Sequence, residues 1–157
     1  MNLFAKFFFL MFIGSSFALS QKPIAETVRW EKYTEALSAA QKDHKLVFVD
    51  LYATWCIPCQ VMAANTFTDK AVVNLLNSRF HPVRLDVDSP EIIDCDGKKN
   101  TPERCFFDVW ELDGVPSYVL IAPKGTSILT LTQALDAGQM RILLFQFLNK
   151  EKEWISE

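Results

Sequence analysis

Leu46-Val47-Phe48-Val49-Asp50-Leu51-Tyr52-Ala53-Thr54-Trp55-Cys56-Ile57-Pro58-Cys59 carries most of what the chain discloses about itself. Its first seven residues are short-range, β-branched and aromatic, the composition of a buried strand. The residues after it, Gln60-Val61-Met62-Ala63-Ala64, suit a helix. Two cysteines separated by two residues are therefore expected where a strand hands over to the first turn of a helix. Pro58 is tolerated there because the first turn does not use its N–H. Unpaired backbone N–H groups and the helix dipole stabilise a thiolate at Cys56. A thiolate is the attacking form in disulfide exchange, and Cys59 is near enough to resolve the mixed disulfide that follows. Ile57 and Pro58 add no charge and no side-chain donor between the cysteines. That absence tilts the expected chemistry towards a reductant or a mildly poised exchanger.

Working outward, the first twenty of the 157 residues have their own pattern. Lys6 precedes Phe7-Phe8-Phe9-Leu10-Met11-Phe12-Ile13, and small residues lead to Ala18-Leu19-Ser20. This is the layout of a secretory signal, with cleavage expected after Ser20, or failing that after Ala18. Its apolar stretch is shorter than a membrane-spanning helix needs, so no stable membrane insertion is expected after cleavage. Removing 1–20 removes one Lys and no acid, taking the formal charge from −3 to −4. Such a balance argues against nucleic acid or anionic lipid as partner. All four cysteines lie in the remaining part, an even number suited to an oxidising compartment. The C-terminal Glu153-Trp154-Ile155-Ser156-Glu157 is no endoplasmic-reticulum retention signal, which makes the bacterial periplasm the expected location, with the extracellular space as alternative.

The remainder, 21–157, reads as one domain. Trp30, Tyr33, Leu37 and Ala40 recur at helical spacing and predict a helix over 26–43. Thr68 or Asp69 can cap a further helix with Ala71, Val72, Leu75 and Leu76 on its apolar face. Strands are expected over 81–87, 117–121 and 127–131, the last two joined by a Pro123-Lys124-Gly125 turn. Asp136 can cap a closing helix. The order predicts an α/β sandwich with a central mixed sheet flanked by helices. The polar, turn-rich stretch around Cys95 and Cys105, within about 90–113, reads as an insertion. A structural disulfide between these two is expected to close it, since a polar loop lacks a core of its own. A second redox pair is the sharper alternative. Zinc and calcium are not expected: Cys95 and Cys105 are nine residues apart in between, and the Asp94-Cys95-Asp96-Gly97 stretch lacks the remaining ligand spacing. No metal or other cofactor is implied. His44 and His81 are expected to be exposed strand-edge residues without a role.

Several separated features resemble the thioredoxin superfamily. Asp50, six residues before Cys56 in the same strand, matches the position of the family's buried acid. Arg84, in Val83-Arg84-Leu85-Asp86, stands where thioredoxins place a lysine beside that acid. Gly114-Val115-Pro116-Ser117-Tyr118 resembles the loop whose cis-proline faces the dithiol. The similarity runs over about 30–150 and implies a thioredoxin-like fold with an insertion before the cis-proline loop. It also implies roles: Cys56 as nucleophile, Cys59 as resolving thiol, and Pro116 presenting the Val115 backbone to an extended substrate. Trp55, Ile57 and Pro58 would frame the groove. For Asp50 two uses stay open, a proton relay for Cys59 or an acid paired with Arg84; burial without a partner raises a carboxylate's pKa. Ala39–Lys45 leading directly into the strand, and Met62-Ala63-Ala64-Asn65-Thr66-Phe67 after the dithiol, resemble the C-terminal domain of the transmembrane reductase DsbD. Protein disulfides as substrates and a membrane donor of the DsbD kind are what this resemblance implies. A disulfide oxidase or isomerase, and a copper-binding assembly factor using Cys56 and Cys59, are the alternatives.

Overall fold

The computed structural model describes residues 27–155; the expected signal segment 1–20 lies outside them. Helix α1 (Tyr33–Asp43) leads into strand β1 (Leu46–Tyr52), followed by α2 (Ile57–Asn65), α3 (Lys70–Arg79) and β2 (Phe80–Asp86). A small hairpin, β3 (Ile93–Cys95) and β4 (Lys98–Asn100), precedes the one-turn helix α4 (Pro102–Arg104) and a single π-helical turn over Cys105–Val109. Strands β5 (Ser117–Ile121) and β6 (Ser127–Thr132) and helix α5 (Ala137–Ile155) complete the chain.

The main sheet has the order β2-β1-β5-β6. β1 runs parallel to β2 and antiparallel to β5, and β6 is antiparallel to β5, so the sheet is mixed as expected. β1 is the central strand, and its side chains alternate between two cores. Val47, Val49 and Leu51 face one cluster, with Tyr33, Ala36 and Ala40 of α1. Leu46 and Phe48 face the other, with Val72, Val73 and Leu76 of α3 and Leu144 and Phe147 of α5. Phe48 stacks on Tyr118 with ring centroids 5.7 Å apart, and it meets Phe80 and Phe147 at 6.3 Å. Burial of one such ring contributes roughly 2–3 kcal/mol. Asp69 caps α3 through its Oδ1, which accepts from the amides of Ala71 and Val72. Asp136 and Gln139 cap α5 reciprocally: each side chain accepts from the other's backbone N–H.

Three expectations need correction. The first helix does not begin near 26. It starts at Tyr33, and Glu31 instead forms a parallel bridge to Val83, its amide donating to Pro82 O at 2.8 Å. The edge of β2 offers a hydrogen-bond partner that local periodicity does not register. His81 is buried rather than exposed, with Nδ1 3.0 Å from Glu31 Oε1 and Nε2 3.0 Å from Asp43 Oδ1. Burial pushes the Asp43 carboxyl up, but its bonds to His81 and to the Lys45 amide, with the nearby charges, bring it below the usual range. The insertion, finally, is not a polar loop without a core. Ile93, Cys95, Cys105, Phe106, Trp110 and Leu112 are buried in the same cluster as β1 and the dithiol. Tyr33 Oη donates to Asp94 O at 2.9 Å, tying the hairpin to α1.

Candidate active site

β1 delivers the chain to Cys56 at the carboxyl end of the sheet, where Cys56 is the N-cap of α2. Its backbone is extended (φ −79°, ψ 102°), and its sulfur accepts from the Cys59 amide at 3.2 Å. An N-cap acceptor satisfies a backbone donor that the first helical turn leaves open. Such a donor favours a thiolate over a thiol at the sulfur it faces. Cys56 and Cys59 are joined as a disulfide in this structure. Both are buried, whereas Trp55 and Ile57 on either side of Cys56 are 67% and 71% exposed. The pair therefore lies at the foot of an apolar lip. Pro58 stands in the first turn of α2, as its missing N–H allows.

Val115 O lies 3.6 Å from Cys56 Sγ, and the Val115–Pro116 peptide bond is cis. The structure thus brings Trp55, Cys56, Ile57, Pro58, Cys59, Val115 and Pro116 together at one end of the sheet. Asp50 is buried within β1, paired in register with Arg84 on one side and Tyr118 on the other. Its Oδ2 is 3.1 Å from Arg84 Nε, but the N–H is not aimed along the contact and neither atom makes a hydrogen bond. Burial pushes the Asp50 carboxyl up to about 7, against the downward pull of the Arg84 guanidinium. Burial, and after it the Asp50 charge, push the Tyr118 phenol upward as well. Arg84 is held over the Tyr52 ring at 4.4 Å and near Trp30 at 6.0 Å.

Cys95 and Cys105 form a second disulfide, fully buried in the same cluster as the first. Some contributors were missed in the sequence. Asp88 accepts from Trp55 Nε1 at 2.8 Å and so fixes the lip. Gln60 Nε2 donates to Thr54 O at 2.8 Å, bracing the turn before Cys56. Residues 134–137 line an apolar groove with Ile57, Pro58, Val61 and Met62. The only sequence signal for Asp88 is its place just past the end of β2, level with the turn that carries Trp55. Among the described residues no cluster of histidine, cysteine or carboxylate groups is arranged to hold a metal.

The thioredoxin-like family profile matches residues 29–123, more than half of the chain. The chain belongs to the thioredoxin-like family. Within this family it is similar to a thioredoxin from Thermus thermophilus, with a TM-score of 0.64, 26% identity, and coverage of 80% of this chain and 90% of that one. It is also similar to the oxidised C-terminal domain of DsbD from Neisseria meningitidis, with a TM-score of 0.53, 26% identity, and coverage of 74% and 97%. A thiol:disulfide interchange protein DsbD of Pseudomonas aeruginosa is 30% identical over 104 residues, 65% of this chain. The match covers 16% of that protein's length, so the likeness is to one part of it. The thioredoxin-like fold with its mixed sheet and the resemblance to the C-terminal domain of DsbD expected from the sequence are both found.

Proposed function

We propose that this protein is an exported thiol–disulfide oxidoreductase that reduces protein disulfides through a mixed disulfide at Cys56. The observation that carries the reading is the Cys59 amide donating to Cys56 Sγ at the start of α2, under an exposed apolar lip. In the forward direction the Cys56 thiolate attacks one sulfur of a substrate cystine. A Cys56–substrate S–S bond forms, the substrate S–S bond breaks, and the other substrate sulfur leaves as a thiolate. Cys59 then gives up its proton and attacks Cys56 Sγ, forming the Cys56–Cys59 disulfide and releasing the second substrate thiol. Two electrons pass from the protein dithiol to the substrate. Asp50, with its carboxyl near 7, is matched to accept the Cys59 proton at neutral pH. The Val115 backbone offers an edge along which an extended substrate pairs. A dithiol donor of the DsbD kind, held in the membrane, would restore the reduced form.

The 1–20 segment fits a cleaved export signal, with 21–157 as the working domain in the periplasm. No helix among the described residues is long and apolar enough to cross a membrane. The Cys95–Cys105 bridge serves as a staple for the insertion. A copper-holding use of Cys56, Cys59 and Met62 is disfavoured, because the Met62 sulfur already accepts from Tyr118 Oη at 3.1 Å and the Leu135 amide at 3.4 Å.

The test is equilibration in graded thiol–disulfide buffers, trapping of free thiols, and mapping by mass spectrometry. A Cys56–Cys59 potential near about −270 mV supports the reductase, and one near about −120 mV makes the protein an oxidant of its substrates.

A further inference from the structure

β1, β2 and β6 end, and β5 begins, at the sheet edge that carries the dithiol. The connections at that end are 53–56, 87–92, 110–116 and 133–136. Their charged residues are Asp88, Glu91, Glu111, Asp113 and Asp136, all exposed, and none is a lysine, arginine or histidine. Two are tied directly to the site. Asp88 holds the Trp55 indole. Asp136 lines the groove of about 520 Å³ that Ile57, Pro58 and Val61 share. Arg84 on β2 is turned inward onto Tyr52 and Asp50, and the Arg141 guanidinium of α5 stands across Gly138 from the Asp136 carboxylate. At the opposite end the β5–β6 turn carries Lys124, also exposed. The dithiol thus lies in an apolar rim whose connecting loops carry acids and no cation, with Arg141 of α5 beside Asp136 alone.

Fixed acids around a cleft with apolar walls concentrate field lines there and draw oppositely charged partners. Trp55, Ile57 and Val61, each more than half exposed, reward apolar side chains beside the cystine. We propose that the client disulfides of this site lie in basic, extended segments with an apolar residue next to the cysteine. This rests on the oxidoreductase reading above and adds to it a substrate class. The exchange itself is unchanged: the pre-reduced dithiol gives two electrons to the client cystine and ends as the Cys56–Cys59 disulfide.

Single-turnover reduction by the pre-reduced protein tests it with two cystine peptides of equal length. Both carry Leu beside each cysteine; one is flanked by Lys and the other by Glu. A small neutral disulfide, hydroxyethyl disulfide, serves as reference. At about 20 mM salt the Lys peptide is expected to react about 10-fold or more faster than the Glu peptide, and the ratio should shrink to about 2 at about 500 mM. The pair Glu111→Gln and Asp113→Asn should lower the low-salt ratio about threefold while leaving the rate on hydroxyethyl disulfide unchanged. Equal rates on the two peptides, a faster Glu peptide, or a ratio indifferent to salt and to the paired substitution overturns the charge selection but leaves the oxidoreductase reading intact. Failure to reduce any of the three disulfides overturns both.

Discussion

Two disulfides share one hydrophobic cluster in this protein, and their settings differ in nearly every respect that governs reactivity. Cys56–Cys59 spans 3 residues at the head of a nine-residue helix, while Cys95–Cys105 spans 10 and joins a hairpin to a π-helical turn. The first sulfur faces an amide donor at 3.2 Å as well as the Val115 carbonyl at 3.6 Å. Cys95 Sγ has the Lys98 carbonyl oxygen 3.3 Å away, the negative end of a dipole. A thiolate gains from the first setting and loses in the second. Both pairs are themselves buried, but the exposed neighbours differ: apolar Trp55 and Ile57 beside Cys56, charged Asp94 and Arg104 beside Cys95 and Cys105. Under the proposed function, identical bonds serve as reagent and fastener according to the backbone groups aimed at the sulfur and the character of the surface beside it.

That contrast breaks most sharply under cysteine substitution. Cys56→Ala should lower disulfide reduction at least about 1,000-fold, measured as turnover with a peptide disulfide. Cys59→Ala should accumulate a mixed disulfide visible as an added mass on the intact protein. Sustained turnover in Cys56→Ala would falsify the assignment of the nucleophile. Next in size is Asp50→Asn, expected to slow resolution of the mixed disulfide about 10- to 100-fold at pH 7 with the first attack little changed. Stopped-flow traces that slow both steps equally would remove the relay.

The same substitution has a stability consequence. Because Asp50 sits near 7 when folded, above its unfolded range, the folded state holds the proton more tightly. Stability should therefore fall as pH rises from about 4 through 7, by roughly 2–4 kcal/mol at most. Asp50→Asn should flatten that slope and leave the protein more stable than the parent above pH 7, read from urea midpoints at several pH values. A parent whose midpoint does not move over this range contradicts the buried, raised carboxyl. The second disulfide sharpens the comparison from the other side. Replacing both Cys95 and Cys105 by Ala should cost about 3 kcal/mol in unfolding free energy while changing the rate of dithiol exchange less than about twofold. A large drop in exchange rate with little loss of stability would mean that the insertion takes part in the chemistry.

Much of this was legible in the sequence where local and tertiary signals agree. The apolar run 46–52, the dithiol after it and Asp69 as a cap each answer to chemistry within a few residues. Ser117–Ile121 appears as a strand with the bounds expected. The misread places are those where a distant partner decides. Trp30 has helical spacing to Tyr33, yet it packs edge-on to Phe67 at 5.1 Å from an extended segment. His81 lies in an edge strand, where local pattern predicts exposure, but Glu31 and Asp43 converge on it from two other segments. In the insertion, charged residues at 94, 96, 98 and 99 masked Ile93, Phe106, Trp110 and Leu112. Those apolar positions are the sequence signal for an element docked on the core.

The two margins of the sheet are protected unequally. β2 is bordered by the Glu31 bridge and contains Pro82, which has no N–H to offer. β6 has neither: Ser127-Ile128-Leu129-Thr130-Leu131-Thr132 carries no charge and no proline, Leu129 is 39% exposed, and no strand among the described residues lies beyond it. Such a border is a template for another chain's backbone, so concentrated protein should self-associate through β6, and a lysine at Thr130 should keep it dispersed.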